Sequence, residues 1–172
     1  MSWIIVPAIA ALAVAVAIGI RRGLLRLDGN VRAAWDALDA QLRKRQELMV
    51  RIAELCAKLM HEEPETIDRA RSSGAALLAA ASRRDIPALA AALQAHRVAA
   101  GDLLTVGGSY PQLAGSTAFA ALVSRMDELD ARVDARSEDY NAAASALNLR
   151  CAAFPHRLAA RALGFAPASL LP

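Results

Sequence analysis

The chain has 172 residues, of which 56% are apolar and only 4% aromatic, with 20 basic and 17 acidic side chains and a net charge of +3. This length is enough for one modest domain. The apolar excess is mainly alanine and leucine, which favours helices over sheets and predicts an all-α fold. Charges of both signs are interspersed, without a basic stripe or planar stacking groups, so we do not expect a nucleic-acid partner.

An uncharged apolar run extends from Trp3 to Ile20. As a helix it would be about 27 Å long, close to the thickness of a hydrocarbon core, so residues 1–22 are predicted to form a single transmembrane helix. A cleaved signal peptide is the alternative, but it requires basic residues before the run. Here Arg21, Arg22 and Arg26 follow it. The positive-inside rule then predicts an inner-membrane protein whose remaining chain lies in the cytoplasm.

Residues 23–154 are predicted to form an antiparallel bundle of about four helices, two of them long. Two stretches carry apolar residues at alternating spacings of four and three, which predicts stripes that pack lengthwise on other helices. In the first long helix, over about residues 28–61, this seam is Val31, Trp35, Leu38, Leu42, Met49, Ile52, Cys56 and Leu59, with Arg45 in the missing position. In the last it is Phe119, Leu122, Met126, Leu129, Val133, Tyr140, Leu147, Cys151 and Phe154, with Arg136 in one position.

Two shorter helices are predicted between the long ones. Proline is favoured in the first turn of a helix, so a second helix is expected over 64–83. Asp85 is a candidate N-cap for the third helix, and Ser116 is one for the last. The stretch from Gly107 to Pro111 is rich in turn formers and is predicted to be a loop. Short loops between successive helices imply antiparallel neighbours.

Residues 155–172 are predicted to be an amphipathic C-terminal segment. Arg157 and Arg161 lie four residues apart among apolar residues, a pattern typical of a helix on a membrane surface. A terminal helix that caps the base of the bundle explains the same pattern. The basic residues near the membrane are therefore Arg21, Arg22, Arg26, Arg157 and Arg161, which would attract anionic lipid headgroups. A slightly basic solvated surface is the simpler alternative.

The arginines of the two seams, Arg45 and Arg136, stand where leucine is expected. A buried guanidinium is costly unless it is paired, so a carboxylate partner is predicted for each. The candidate partners are the acidic residues Asp39, Asp134, Glu138 and Asp139. We favour a structural role in fixing helix register, and the alternative is a groove open to an acidic partner segment.

The loop carries a candidate docking site for a partner protein at Tyr110, Pro111 and Leu113. An exposed aromatic residue and a proline in a loop are typical of such contacts. The alternative, which we favour, is that Tyr110 tucks under the end of the bundle and covers its core.

The sequence offers little for catalysis. None of the histidines has a second histidine at helical spacing, so HExxH-type zinc binding is absent, and His96 lies on an apolar face, where a hydrogen-bonded core histidine is expected. Cys56 and Cys151 occupy seam positions, which favours buried thiols over reactive ones. No nucleophile or nucleotide-binding motif occurs. We therefore predict no enzyme, no cofactor and no metal site.

An ordered set of short motifs along almost the whole chain resembles the LemA family. Its first half comprises Asn30-Val31, Trp35, Asp39, Gln41-Leu42, Arg45, His61-Glu62 and Ala70-Arg71. Its second half comprises Tyr110-Pro111-Gln112-Leu113, Phe119, Arg132, Tyr140-Asn141, Asn148, Phe154-Pro155 and Gly164-Phe165. The chain departs from the family pattern at Val50, Arg51, Leu147 and His156, which indicates a divergent member.

The resemblance implies a membrane-anchored helical bundle without established catalysis, and some members of the family are linked to membrane organisation or to membrane proteases. We therefore expect an interaction or scaffold role, with the bilayer and an unidentified membrane-associated protein as partners, and homo-oligomers left open. The alternatives are a lipid-directed protein that organises the bilayer through its basic segments and, last, a metal- or thiol-dependent enzyme.

Overall fold

The computed structural model describes the backbone of residues 2–60, 62–154, 156–162, 164 and 166–172, and their side chains from residue 14 onward, except 158, 159 and 161. The described part is helical and contains no strand, as predicted. Its helices are α1 (Ser2–Ala57), α2 (Pro64–Arg83), α3 (Ile86–Ser109), α4 (Pro111–Ala114), α5 (Thr117–Ala152) and α6 (His156–Ala162).

The predicted anchor forms the beginning of α1. Among the residues that the structure describes, no helix combines the length and the apolar character needed to cross a membrane. The predicted span at residues 3–20 is only partly covered by this finding, because the side chains of residues 3–13 lie outside the described ones.

The chain divides into two compact units, and the helices α1 and α5 contribute to both. The first unit comprises Met1–Trp35 and Asp139–Leu170, and the second comprises Asp36–Glu138 and Leu171–Pro172. In the second unit, α2 and α3 pack on each other, and a core forms between α1, the shorter helices and α5. Residues of that core include Met49, Ile52, Cys56, Ile67, Leu103, Leu113, Phe119 and Met126.

The seam predicted for the first long helix is confirmed. Its residues from Trp35 to Cys56 are at most 5% exposed, with Arg45 among them, while Val31 and Leu59 at its ends are partly exposed. The helix bounds differ from the prediction, because α1 begins at Ser2, includes the whole apolar run and ends at Ala57 rather than near residue 61. After that end the chain turns, and the backbone N–H of Met60 donates to Cys56.

The ends of the middle helices follow the predicted signals. α2 begins at Pro64 and closes with Arg84 in the left-handed region at φ 52°, where the Arg84 N–H donates to α2 carbonyls. Asp85 caps α3, since its carboxylate accepts from the Ala88 N–H at 3.1 Å. Ser116 caps α5 in the same way, with its hydroxyl accepting from the Phe119 N–H at 3.3 Å.

The predicted loop from Gly107 to Pro111 is wrong, because α3 continues through Ser109 and α4 starts at Pro111. Only Tyr110 separates the two helices. Gly107 is needed for packing rather than for a turn, since a Cβ there would lie 3.1 Å from Cζ of Phe119 and 3.5 Å from the Cys56 sulfur.

The first unit joins the beginning of α1 to the end of α5. Trp35 and Tyr140 meet edge to face with ring centroids 5.4 Å apart, and Leu24 packs with Leu147 and with Ala160 of α6. Residue numbers rise along one helix as they fall along the other, so within this unit the two helices are antiparallel. Contrary to the prediction, Phe154 is not part of the seam, because α5 ends at Ala152 and Phe154 is 83% exposed.

Only part of the predicted C-terminal segment is helical. α6 has seven residues, and the described residues from 166 onward have no regular secondary structure.

Candidate functional site

The predicted register residue Arg45 belongs to the second unit and is 1% exposed. Its Nε donates to Oδ1 of Asp130 on α5 at 2.5 Å, and its Nη2 donates to Oδ2 at 3.3 Å. A two-pronged contact matches the planar guanidinium to a carboxylate and holds both helices in one register. Asp130 was not among the acidic partners that the sequence indicated.

A buried histidine lies near this ion pair. His96 of α3 is fully buried, and its Nδ1 lies 2.8 Å from the hydroxyl oxygen of Ser73 on α2. Burial lowers the pKa of His96 to about 4, helped by the positive charge of Arg45 and opposed by Asp130. The neutral ring is therefore a core residue that links α2 to α3, as its apolar face predicted.

The second predicted register residue, Arg136, does not belong to the seam. It is exposed, whereas Val133 and Tyr140 are buried and Ser137 between them is half-buried. The spacing of four then three therefore passes through Ser137, whose hydroxyl donates to the Val133 carbonyl at 2.9 Å. A small residue that satisfies its own hydroxyl fits this position, so the prediction of a buried guanidinium at Arg136 is wrong.

The three candidate docking residues differ in their exposure to solvent. Leu113 is fully buried, Tyr110 packs partly buried against the core, and Pro111 is exposed. The alternative that Tyr110 covers the end of the core therefore agrees with its position. Leu113 is a core residue, and a docking surface that includes its side chain is excluded in this conformation.

The candidate membrane-proximal arginines lie on α1 and α6. Arg21, Arg22, Arg26 and Arg157 are exposed, while the side chain of Arg161 lies outside the described residues. α6 packs beside the stretch of α1 that carries the first three arginines, because Ala160 is buried in the same cluster as Leu24. The structure thus brings the basic stretch of α1 and the C-terminal basic segment to the same part of the first unit.

A basic surface groove between α1 and α5 was missed by the sequence analysis. We call it the cationic cleft, and it has a volume of about 280 Å³ within the second unit. Its basic residues are Lys44 and Arg51 of α1 and Arg125 and Arg132 of α5, and its apolar floor is Leu48 and Leu129. Glu47 also lines it. The only signal in the sequence was a pair of basic residues seven positions apart on each long helix.

A second feature, the docking of the C-terminal tail, was also missed. The Asn148 side chain donates to the Ala168 carbonyl and accepts from the Ala168 N–H, both at 2.8 Å. The Tyr140 hydroxyl donates to the Ser169 carbonyl at 2.9 Å. Tyr140 and Asn148 both belong to the motifs quoted above, and these contacts explain why their polar groups are placed on α5.

The candidates for metal or thiol chemistry among the described residues are His, Cys, Asp and Glu side chains. No group of three His, Cys, Asp or Glu side chains within this part of the chain is placed to hold a metal ion. Cys56 is buried, and burial raises its pKa to about 11, so its reactive thiolate is scarce at neutral pH. Burial also raises the pKa of Cys151.

Comparison with known proteins gives one result about ancestry. The sequence model of the LemA family matches residues 34–171, which is most of the chain. No curated protein matches it.

Proposed function

From the premise that this chain belongs to the LemA family, we propose that it is a membrane-attached helical protein that acts by protein contact and not by catalysis. The soluble part would lie on the cytoplasmic face of the inner membrane, next to a membrane-associated partner.

Membrane attachment is supported by the exposed apolar surface of α1 over residues 14–19. All six residues are exposed and none is charged, with Val14 at 59%, Val16 at 49% and Ile18 at 47% exposed. A helix that exposes apolar side chains on every face is favoured in lipid and disfavoured in water. The exposed Arg21 and Arg22 follow at once, where headgroups would attract them.

The interaction role is supported by the design of the second unit. Its two long helices are joined by the ion pair between the buried Arg45 and the half-buried Asp130, and its surface carries the cationic cleft. A rigid helical body with a charged groove is suited to holding a partner segment.

Membrane attachment is tested by alkaline carbonate extraction of cell membranes. The unchanged chain should stay in the membrane pellet. Leu12→Arg/Val16→Arg should move it to the supernatant, because each central arginine costs about 2.5–3.5 kcal/mol in a bilayer. Leu12→Ile/Val16→Ile is the matched control and should stay in the pellet. Release of the unchanged chain by carbonate would contradict the anchor.

The partner role is tested in the same membranes by photo-crosslinking from exposed positions of the second unit. The anchored chain should give protein adducts that Leu12→Arg/Val16→Arg loses. An identical adduct profile for both chains would contradict an interaction that depends on the membrane.

A lipid-directed role is the second candidate, and it rests on the packing of α6 beside Leu24. In that case the chain without residues 1–20 should bind anionic vesicles, and Arg157→Glu/Arg161→Glu should weaken binding. The control Arg71→Glu/Arg83→Glu changes two exposed arginines of α2. Equal binding by both double variants would remove this candidate.

A further inference from the structure

We infer that the cationic cleft is the docking site for an acidic segment of the partner protein, with two carboxylates that flank an apolar side chain. The inference deepens the proposed interaction role and rests on it for its biological meaning. The binding itself can be measured independently.

Four basic side chains and one carboxylate, that of Glu47, line the cleft, so its lining carries a net positive charge. Lys44, Arg51 and Arg125 form no ion pair with another described residue, and Arg132 has only an exposed contact with Glu128 at 3.7 Å. Elsewhere on the same unit, four arginines, Arg43, Arg69, Arg84 and Arg97, each pair with an aspartate. Basic groups gathered around one groove repel each other, and a bound anion relieves that repulsion.

The register of the helices divides these basic residues into two ends. Arg45 faces Asp130 across the antiparallel pair, so Lys44 lies opposite the region of Arg132, and Arg51 lies opposite the region of Arg125. Seven residues of helix separate the two ends, which is about 10.5 Å. Leu48 and Leu129, both 5% exposed, lie between them. The cleft is thus basic, apolar and basic along its length.

This order selects the chemistry of the ligand. A single phosphate or lipid headgroup phosphate can neutralise one end only, since the ends are about 10 Å apart. A nucleic-acid strand supplies repeated charges but is usually bound with aromatic stacking, and no aromatic residue lines the cleft. Two carboxylates seven residues apart on a helix span the required distance, and an apolar side chain between them can cover the floor.

The test uses the full chain in detergent micelles and a fluorescein-labelled peptide. The probe is an alanine-based helix with two glutamates seven residues apart and leucine between them on the same face. Binding is followed by fluorescence anisotropy. We expect saturable binding that weakens as salt is raised from low to moderate concentration, because the contacts are exposed ion pairs.

Variants locate the site. Arg51→Glu/Arg125→Glu should weaken binding by about tenfold or more, and the neutral Arg51→Gln/Arg125→Gln should weaken it less. Arg71→Glu/Arg83→Glu makes the same change of charge on α2 and should bind as the unchanged chain does. Circular dichroism melts check that each variant is folded. If the cleft and control variants lose affinity equally, the cleft is not the site, and the inference is overturned.

Peptide variants identify the ligand. Replacing both glutamates by glutamine should abolish binding, and replacing leucine by serine should weaken it. Inorganic phosphate should compete only at concentrations far above that of the peptide. Equal affinity for the leucine and serine peptides, or full competition by phosphate at the peptide's concentration, would mean a general anion site and would overturn the acidic-segment inference.

Failure of this inference can be told apart from failure of the proposed function. In native membranes, Arg51→Glu/Arg125→Glu should lose the adducts formed next to the cleft while other adducts that depend on the anchor remain. If the adducts that depend on the anchor persist and those next to the cleft do not change, the cleft inference is wrong but the proposed function stands. If no position gives an adduct that depends on the anchor, the proposed function fails whatever the peptide does.

Discussion

The side chain of Arg45 is 1% exposed, whereas the side chain of its partner Asp130 is 31% exposed. The pair is therefore asymmetric, since the arginine depends on the aspartate for its charge balance and the aspartate is partly stabilised by water. Removing Asp130 should therefore lower the stability of the fold more than removing Arg45, since only the first leaves a buried charge without its partner.

Asp130→Ala should lower the free energy of unfolding by about 3 kcal/mol, because it leaves a buried guanidinium unpaired. Asp130→Asn keeps the shape and one acceptor oxygen and should cost less. Urea unfolding followed by circular dichroism measures both. The exposed Asp134→Ala, which removes a surface contact with Arg97, is the control and should change stability by less than about 1 kcal/mol. A loss no larger for Asp130→Ala than for the control would contradict the burial argument.

Stability should fall in mild acid because of His96. Its folded pKa of about 4 lies below the ordinary value of 6.5, so the unfolded chain binds the proton more readily between these values. The stabilising effect is complete above about pH 6.5 and is lost as the pH falls towards 4, by at most about 3 kcal/mol. Unfolding measured at intervals from pH 7.5 to 4.5 should show this slope. His96→Asn should flatten it, and an unchanged slope in that variant would assign the effect to other groups.

Two glycines of α3 should respond in opposite ways to a larger side chain. Gly107→Val should destabilise by about 1–3 kcal/mol through overpacking, because a Cβ there already approaches Phe119. Gly108→Ala should stabilise by up to about 1 kcal/mol, since nothing lies within 4 Å of its added Cβ and alanine favours a helix. Thermal melts compare the two. Equal shifts would indicate that Gly107 is not closely packed.

The tail contact predicts protection of one amide. The Ala168 N–H should exchange slowly with deuterium in the unchanged chain and faster in Asn148→Ala, which removes both hydrogen bonds. Asn148→Asp keeps the acceptor and loses the donor, so an intermediate rate is expected. Tyr140→Phe should cost about 1 kcal/mol of stability through the lost bond to Ser169. Fast exchange in the unchanged chain would contradict a docked tail.

The two thiols should differ in reactivity. Cys151 is partly exposed and Cys56 is buried, and burial raises the pKa of both thiols, that of Cys56 to about 11. A thiol reagent at pH 8 should modify Cys151 first and reach Cys56 only on unfolding, and the Cys151→Ser variant isolates the slow reaction. Rapid modification of that variant under native conditions would show that the core around Cys56 opens.

Sequence periodicity predicted the buried face of α1 because the buried seam residues from Trp35 to Cys56 follow one another at alternating intervals of three and four residues. It failed on α5, where Arg136 and Ser137 both fit between Val133 and Tyr140 at allowed spacings and only tertiary packing chooses between them. The partner of Arg45 was missed for a related reason. The contact joins residues 85 positions apart, and the helix register that brings them together cannot be read from either helix alone.

The loop prediction failed because Gly107 was interpreted as a turn residue, although glycine also serves where another side chain comes close. The cationic cleft was missed because its two pairs of basic residues become one surface only when α1 and α5 are adjacent. Membrane attachment, partners and the absence of catalysis remain predictions.

The hydrogen bonds of Asn148 and Tyr140 with the tail are all made to backbone groups of the tail, not to its side chains. Each could therefore hold a stretch of quite different composition, provided that the backbone N–H at position 168 is kept. Proline at that position should release the tail, whereas serine or valine should not. Conversely, a short extended segment from another polypeptide could compete for the same hydrogen bonds without sharing any sequence with the tail, and a search for a tail motif would not find it.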